Sequence, residues 1–192
     1  MSGTLKKKIM WVDVRIPYNE NGNLAGAYNR ILLDSSASWI LFLDHDVFLV
    51  NPLWYEICLQ VIEILANDPL TACIGCVAGG ERTKRILKEN GTPNADIEYH
   101  IREAKKRYNQ FGIYPERIYK HVTGYFLLVN REIACKVGKF EKVNGTINNI
   151  DKHFGEKILE AGYHNYKIPG LYVYHRRGMK HLKQEFEQPK QT

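Results

Sequence analysis

Along this chain, short continuous apolar runs alternate with stretches whose apolar residues recur every three or four positions. Residues 9–16 are β-branched and apolar and stop at Pro17, which predicts a first strand. A polar loop leads to Asn23. Leu24, Ala27, Tyr28, Ile31 and Leu32 then follow steps of three and four, the stripe of an amphipathic helix ending near Asp34. Residues 39–43, Trp-Ile-Leu-Phe-Leu, have the unbroken apolar character of a strand buried on both faces of a parallel sheet, and they run straight into Asp44.

Asn51-Pro52 supplies a cap and a first-turn proline for a second helix, with Trp54, Ile57, Cys58, Val61, Ile62 and Leu65 facing inward. Asn67-Asp68-Pro69 stops it. Residues 71–77 read as another buried strand, and the Gly-rich, charged stretch 78–85 as a surface loop. Ile97, Ile101, Ala104, Tyr108 and Phe111 mark the inner face of a helix whose outer side pairs Glu98 with Arg102 and Glu103 with Arg107. Residues 125–129 and 171–174 predict strands, 131–137 a short helix, and 151–161 a longer helix closed by Gly162. Strands separated by helices predict an α/β fold, a mixed and mostly parallel sheet flanked by helices, with ligands at the carboxyl ends of its strands.

The length of 192 residues with 44% hydrophobic content suits one domain with one core. No apolar run reaches the ~20 residues of a membrane span, and the basic N-terminus leads into a strand pattern instead of a signal-peptide core. A cytoplasmic protein with no membrane span is expected. Cys58, Cys73 and Cys76 lie in apolar runs, and with Cys135 they suggest no disulfide framework. Cys73 and Cys76 have half-knuckle spacing, but no second ligand pair accompanies them. Asn-Gly-Thr sequons at Asn90 and Asn144 matter only in a secreted protein.

Lys plus Arg is 27 and Asp plus Glu is 21, so the net charge of +6 favours anionic partners: phosphates, nucleotides or nucleic acid. Charge alone does not choose among them. The basic, weakly patterned end of the chain, residues 179–192, reads as a mobile tail.

Asp44 and Asp46 stand at alternate positions as a buried strand leaves the sheet, which converges two carboxylates on one point. Carboxylates suit Mg²⁺ or Mn²⁺ with phosphate oxygens completing the shell. The same two residues also suit a turn or a helix cap, and Asp-x-Asp by itself does not decide.

The residues around them carry a resemblance. Ala27-Tyr-Asn-Arg-Ile-Leu followed by Trp39-Ile-Leu-Phe-Leu-Asp44-His45-Asp46-Val is similar to the GT-A glycosyltransferases of family-2 type. His121-Val-Thr-Gly124-Tyr125 resembles that family's acceptor-side strand, and Val137-Gly-Lys-Phe140 its Gly-x-Phe element. The helix from Asn149-Ile-Asp151 resembles the one that carries the catalytic Asp, and Val173-Tyr-His175 the terminal strand and histidine. These elements occur in family order across most of the chain. The N-terminus departs from the family, because a further helix and strand that supply an acidic residue to the nucleotide base are missing. The resemblance therefore does not specify the base. This abbreviated layout resembles the short glycosyltransferases encoded by bacteriophages.

The resemblance implies a GT-A, Rossmann-like domain over residues 1–178, with 1–50 as an abbreviated nucleotide-binding half and 51–178 as an acceptor-side half. It implies a UDP- or GDP-sugar donor with Mn²⁺ or Mg²⁺, and inversion at the transferred sugar. Asp46 would bind the metal directly, Asp44 the ribose or the metal, with His45 between them and His175 completing the set. Asp151 would accept the proton of the acceptor hydroxyl, and Gly124 and Tyr125 would border the acceptor. An aspartate at a helix start is equally suited to capping. Arg176, Arg177 and Lys180 suit the diphosphate, or else a solvated basic tail. Pro17, Tyr18, Asn19 and Asn23 end a strand at the ligand-binding edge and are candidates for the base and ribose. Asn29 and Arg30 lie off the apolar stripe of their helix, which leaves them to face the donor. Gly22 and Gly26 are too loosely spaced for a phosphate loop.

Two other readings compete. A nucleotidyltransferase would place a Gly-rich basic loop after the first strand, yet residues 18–23 contain no Lys or Arg. A nucleic-acid-binding module is motivated by the net charge and by Lys105-Lys106-Arg107, which sit on a helix face already explained as solvated. The readings join if the acceptor is a modified base in DNA.

Overall fold

The computed structural model describes residues 11–79, 96–142 and 149–176. Its centre is the apolar run that the sequence places before Asp44: strand β2, Trp39–Leu43, has all five residues buried. Parallel to it lies β1, Val12–Arg15, with Val12 opposite Trp39 and Arg15 opposite Phe42. Between them in sequence runs helix α1, Leu24–Asp34, capped by Asn23, whose side chain accepts from Gly26 N–H. A two-residue strand β3, Val47–Phe48, precedes α2, Trp54–Ile64. Then come β4, Thr71–Gly79; α3, Ile97–Phe111; β5, Glu116–Ile118; β6, Phe126–Asn130; α4, Arg131–Val137; α5, Ile150–Glu160; and β7, His164–His175.

The seven strands form one sheet in the order β1-β2-β6-β4-β7-β3, with β5 also on β7. Strands β1, β2, β4 and β7 run one way, and β6 opposes them between β2 and β4. Helices cover both faces. Ile40 and Phe42 pack with Tyr28 and Leu32 of α1, Ile133 of α4 and Phe154 and Ile158 of α5. Leu41 and Leu43 point the other way, onto Ile57, Cys58, Val61 and Ile62 of α2. The period-two alternation of β2 thus feeds both layers, which is why its sequence shows no polar face. Each such side chain contributes roughly 1.5–3 kcal/mol by leaving water.

Several expectations are corrected. Helix α2 begins at Trp54 rather than at Pro52: Asn51 Oδ1 accepts from Leu53 N–H and its carbonyl from Trp54 N–H, a turn just ahead of the helix. The inner face of α3 is His100 and Ala104, while Ile97 and Ile101 are 41% and 47% exposed. A polar contact overrides the apolar stripe there: His100 Nδ1 lies 2.7 Å from the Tyr172 hydroxyl, and its ring stacks on Tyr174 at 3.8 Å. The last strand spans twelve residues instead of four, because it pairs with β4 from His164 to Tyr174 across an irregularity that leaves Pro169, Gly170 and Leu171 out of the ladder. Arg102 and Arg107 do pair with Glu98 and Glu103, at 3.7 and 4.0 Å. Cys58, Cys73 and Cys76 are buried thiols, Cys135 is exposed, and all four are free. No helix among the described residues is long and apolar enough to cross a membrane. Residues 9–10 of the first strand, the loop at 80–85, Asn90, Asn144 and the 179–192 tail lie outside the described residues.

Candidate active site

Three strand ends bring the site together. Asp44 follows β2, Asp46 immediately precedes β3, and His175 is the last residue of β7. Pairing of β3 with β7 sets Val47 opposite His175, and Arg176 N–H donates to the Asp46 carbonyl at 2.9 Å. His175 Nε2 is consequently 3.0 Å from Asp46 Oδ1 and 3.5 Å from Asp44 Oδ2. The turn between the two aspartates is closed by Val47 N–H on the Asp44 carbonyl, so the turn reading is correct as geometry. It is also the device that makes the carboxylates converge.

One ligand atom from each of Asp44, Asp46 and His175 lies within 4.8 Å of the others, a spacing a single cation can bridge. The donor set fits a divalent metal. Two carboxylates satisfy either Mg²⁺ or Mn²⁺, and the imidazole nitrogen favours Mn²⁺, since Mg²⁺ prefers oxygen throughout. The Asp44 carboxyl is pushed above its ordinary value by burial, lowered in part by His175 and raised again by Asp46 and Asp151. A cation there would relieve that repulsion.

The same edge of the sheet carries the start of β6. Leu43 pairs with Phe126, and Asp44 N–H donates to the Tyr125 carbonyl at 3.2 Å. Helix α5 delivers Asp151 to this loop, where its Oδ2 accepts a 2.7 Å hydrogen bond from Gly124 N–H. Asp151 does not cap its own helix. The cap position is Asn149, in the left-handed region at φ 67°, and it makes no side-chain cap bond. Asparagine is one of the few non-glycine residues that adopt this region readily.

A cleft of about 310 Å³ is lined by Tyr28, Asp44, Thr123, Gly124, Tyr125, Asn149, Asp151 and His175, among others, with Asp46 beside it on His175. Tyr28 lines the cleft as well, which the sequence hides because it sits on the apolar stripe of α1. Its hydroxyl is held un-ionised by burial and by the charges of Asp44 and Asp151. Tyr125 packs its ring 5.4 Å from that of His175 and donates from its hydroxyl to the Cys76 carbonyl.

Other candidates lie elsewhere or are engaged. Asn29 is not free to face a ligand: its Nδ2 donates to the Phe140 carbonyl at 2.9 Å and its Oδ1 accepts from Phe140 N–H at 2.8 Å. That clasp ties α1 to the loop after α4. Asn19 Oδ1 accepts from Asn21 and Asn23 N–H, which shapes the first loop. Asn23 caps α1, Pro17 is half-buried, and Tyr18, Arg30, His45 and Arg176 are exposed. None of these lines the cleft. Arg177 and Lys180 lie outside the described residues.

The mixed, mostly parallel sheet flanked by helices is a fold shared with solved GT-A glycosyltransferases. Among solved structures the chain is similar to GalNAc-T7 with UDP, GalNAc and Mn²⁺, at a TM-score of 0.53 and 15% identity over 82% of this chain and 31% of that one. A mannosyltransferase of Pyrobaculum calidifontis, PcManGT, in complex with GDP-Man and Mn²⁺, matches at a TM-score of 0.49 and 19% identity over 78% of this chain and 35% of that one. The chain thus spans about a third of the length of either enzyme. No family model and no curated protein matches the sequence.

Proposed function

We propose that the protein transfers a sugar from a nucleoside-diphosphate sugar, UDP- or GDP-linked, to an acceptor hydroxyl, with Mn²⁺ or Mg²⁺ held by Asp44, Asp46 and His175. The observation that carries this reading is that two members of that triad, Asp44 and His175, line the same cleft as Asp151, at the carboxyl ends of β2 and β7, with Asp46 beside them. The bound metal would neutralise the charge that develops on the departing diphosphate, as a Lewis acid. Asp151 takes the proton from the acceptor hydroxyl as its oxygen attacks the anomeric carbon. Its hydrogen bond from Gly124 fixes one carboxylate oxygen and leaves the other to the acceptor. Tyr28, buried and within the field of Asp44 and Asp151, lines the cleft with its hydroxyl un-ionised. Attack from the Asp151 side inverts the anomeric centre. His175 comes from the acceptor-side half, 51–178, so the donor half 1–50 is complete only when the whole domain has folded.

For the acceptor we infer a hydroxyl on a modified base in phage DNA, in the host cytoplasm, supported by the net charge of +6 and the resemblance to short phage enzymes. Thermal-shift titration with UDP, GDP, CDP and ADP, each with and without Mn²⁺, tests the donor site. Ligand at about a hundred times its Kd stabilises by roughly 2.7 kcal/mol. A Mn²⁺-dependent shift with one nucleotide, absent in Asp46→Ala, is expected; no shift with any nucleotide would overturn the reading. A proton NMR spectrum of the product anomer tests inversion.

A further inference from the structure

The loop between β5 and β6 lines two cavities at once. Thr123 and Tyr125 face the cleft of Asp44, Asp151 and His175, and they also line a second pocket of about 110 Å³. That is the volume of roughly three to four waters at ~30 Å³ each, room for one phosphate group. The two cavities differ in charge. The cleft presents Asp44 and Asp151, whereas the pocket is lined by Lys120, His121 and Lys167 and by no carboxylate. Neither lysine has a carboxylate within 4.0 Å among the described residues. Lys120 and Lys167 share this hollow; Glu116 stands opposite Lys167 across the β5–β7 ladder but outside the 4.0 Å of an ion pair, so an anion seated there would be attracted by both lysines.

The pocket is held in place by the elements that hold Asp151. Asn165 Nδ2 donates to the Lys120 carbonyl at 3.1 Å. Helix α5 lies directly on the loop at Gly155, where a Cβ would come within 2.5 Å of the His121 Cβ. One turn earlier in the same helix, Asp151 accepts from Gly124 N–H. The distance between the basic pocket and the candidate base is therefore set by one rigid helix and one short loop. Between the lining residues Ile118 and Lys120 stands Tyr119, 82% exposed, with the Arg117 guanidinium 5.2 Å over its ring. An exposed aromatic interleaved with cations is the surface on which single-stranded bases stack.

We infer that the Lys120–Lys167 pocket seats a phosphate group of the acceptor, and that the acceptor is a nucleic acid strand whose backbone supplies it. The inference rests on reading the neighbouring cleft as the glycosyl-transfer site, with Asp151 as its base. The two cavities share Thr123 and Tyr125, so a phosphate in the pocket and a hydroxyl at Asp151 would belong to neighbouring parts of one acceptor.

The test uses the full chain with Mg²⁺, as wild type, Lys120→Gln and Lys120→Gln/Lys167→Gln. Inorganic phosphate is titrated into ¹⁵N-labelled protein, and a fluorescent single-stranded oligonucleotide is titrated separately at several salt concentrations. Phosphate is expected to shift the backbone amides of Lys120, His121 and Lys167 in wild type and not in the double variant. Oligonucleotide affinity falls in the variants, and the slope of log K against log salt drops by about one per lysine removed. Phosphate shifts without oligonucleotide binding keep the pocket and reassign its source to a small phosphorylated acceptor. Oligonucleotide binding indifferent to both substitutions, phosphate shifts that persist in the double variant, or no response of the wild type to either probe overturns the pocket. The nucleotide and Mn²⁺ melting shift, measured on the same samples, is unchanged in the variants; its absence from wild type would count against the donor site instead.

Discussion

Asp151 and Gly124 are joined by a 2.7 Å hydrogen bond from the Gly124 N–H to Asp151 Oδ2, and a Cβ on residue 124 would stand 3.1 Å from the Asp151 Cβ and 3.3 Å from Oδ2. The glycine is small because the carboxylate occupies the space. Two substitutions separate chemistry from scaffold. Asp151→Asn retains an oxygen to accept from Gly124 but no longer takes a proton, so nucleotide and Mn²⁺ binding persist while turnover falls by about 10²–10⁴. Gly124→Ala pushes the carboxylate by a few tenths of an ångström and is expected to lower kcat about tenfold or more with little change in melting temperature. Single-turnover rates beside melting curves check both; full turnover in Asp151→Asn would remove it from the mechanism.

Asp44 illustrates a site that costs stability until it is filled. Burial and the neighbouring carboxylates raise its folded-state pKa, with His175 opposing them in part. A raised carboxylate pKa penalises the ionised form in the folded protein, so the penalty is present at neutral pH and disappears as pH falls through the folded value. Asp44→Asn is therefore expected to raise the melting temperature slightly in EDTA and to abolish the Mn²⁺-dependent stabilisation by nucleotide. A lower melting temperature in EDTA would mean that the carboxylate is structurally required.

Much of this arrangement is legible in the sequence, for physical reasons that differ by element. The unbroken apolar run from Trp39 to Leu43 reads as a doubly buried strand, and the helix stripe of α1 and the glycine stop of α5 are equally plain. What stays hidden depends on long-range contacts. Nothing local says that Asn29 will bond Phe140, 111 residues away, or that Asp151 will reach across to Gly124 instead of capping its own helix. Tyr28 is concealed differently: a residue can pack in the core and still line a cleft. His100 defeats the apolar-stripe reading of α3 because a buried Tyr172 hydroxyl supplies the partner its ring needs.

The Asn29 clasp makes its own prediction. Removing the amide leaves the Phe140 N–H and carbonyl without partners in a half-buried position, and Phe140 stacks on both Tyr28 and Phe154. Asn29→Ala should cost about 1–3 kcal/mol. Because the side chain does not line the cleft, the nucleotide and Mn²⁺ response is expected to survive at temperatures where the variant is folded. Denaturant melts give the first quantity, and a nucleotide titration below the transition gives the second. Loss of nucleotide binding in a folded variant would return Asn29 to the donor site.

The turn before β4 carries the clearest pH dependence outside the cleft. Asp68 Oδ2 lies 2.7 Å from His164 Nδ1 and 2.8 Å from the Tyr166 hydroxyl, and Oδ1 accepts from Leu70 N–H. Burial alone would raise its pKa, but the hydrogen bonds from His164, Tyr166 and Leu70 outweigh it and hold the carboxyl below 3.8. A carboxylate depressed in the folded state stabilises above its unfolded pKa, and that contribution is lost as pH falls through the folded value. The acid window is thus below 3.8, where the turn that joins α2 to β4 and anchors the start of β7 should loosen. Asp68→Asn is expected to cost about 1–2 kcal/mol at neutral pH, allowing for partial exposure, with the difference from wild type shrinking as pH drops below that point. Urea melts of both proteins across the acid range measure it. A stability gap that stays constant with pH would mean that the side chain acts by shape and hydrogen bonding alone, with no contribution from its charge.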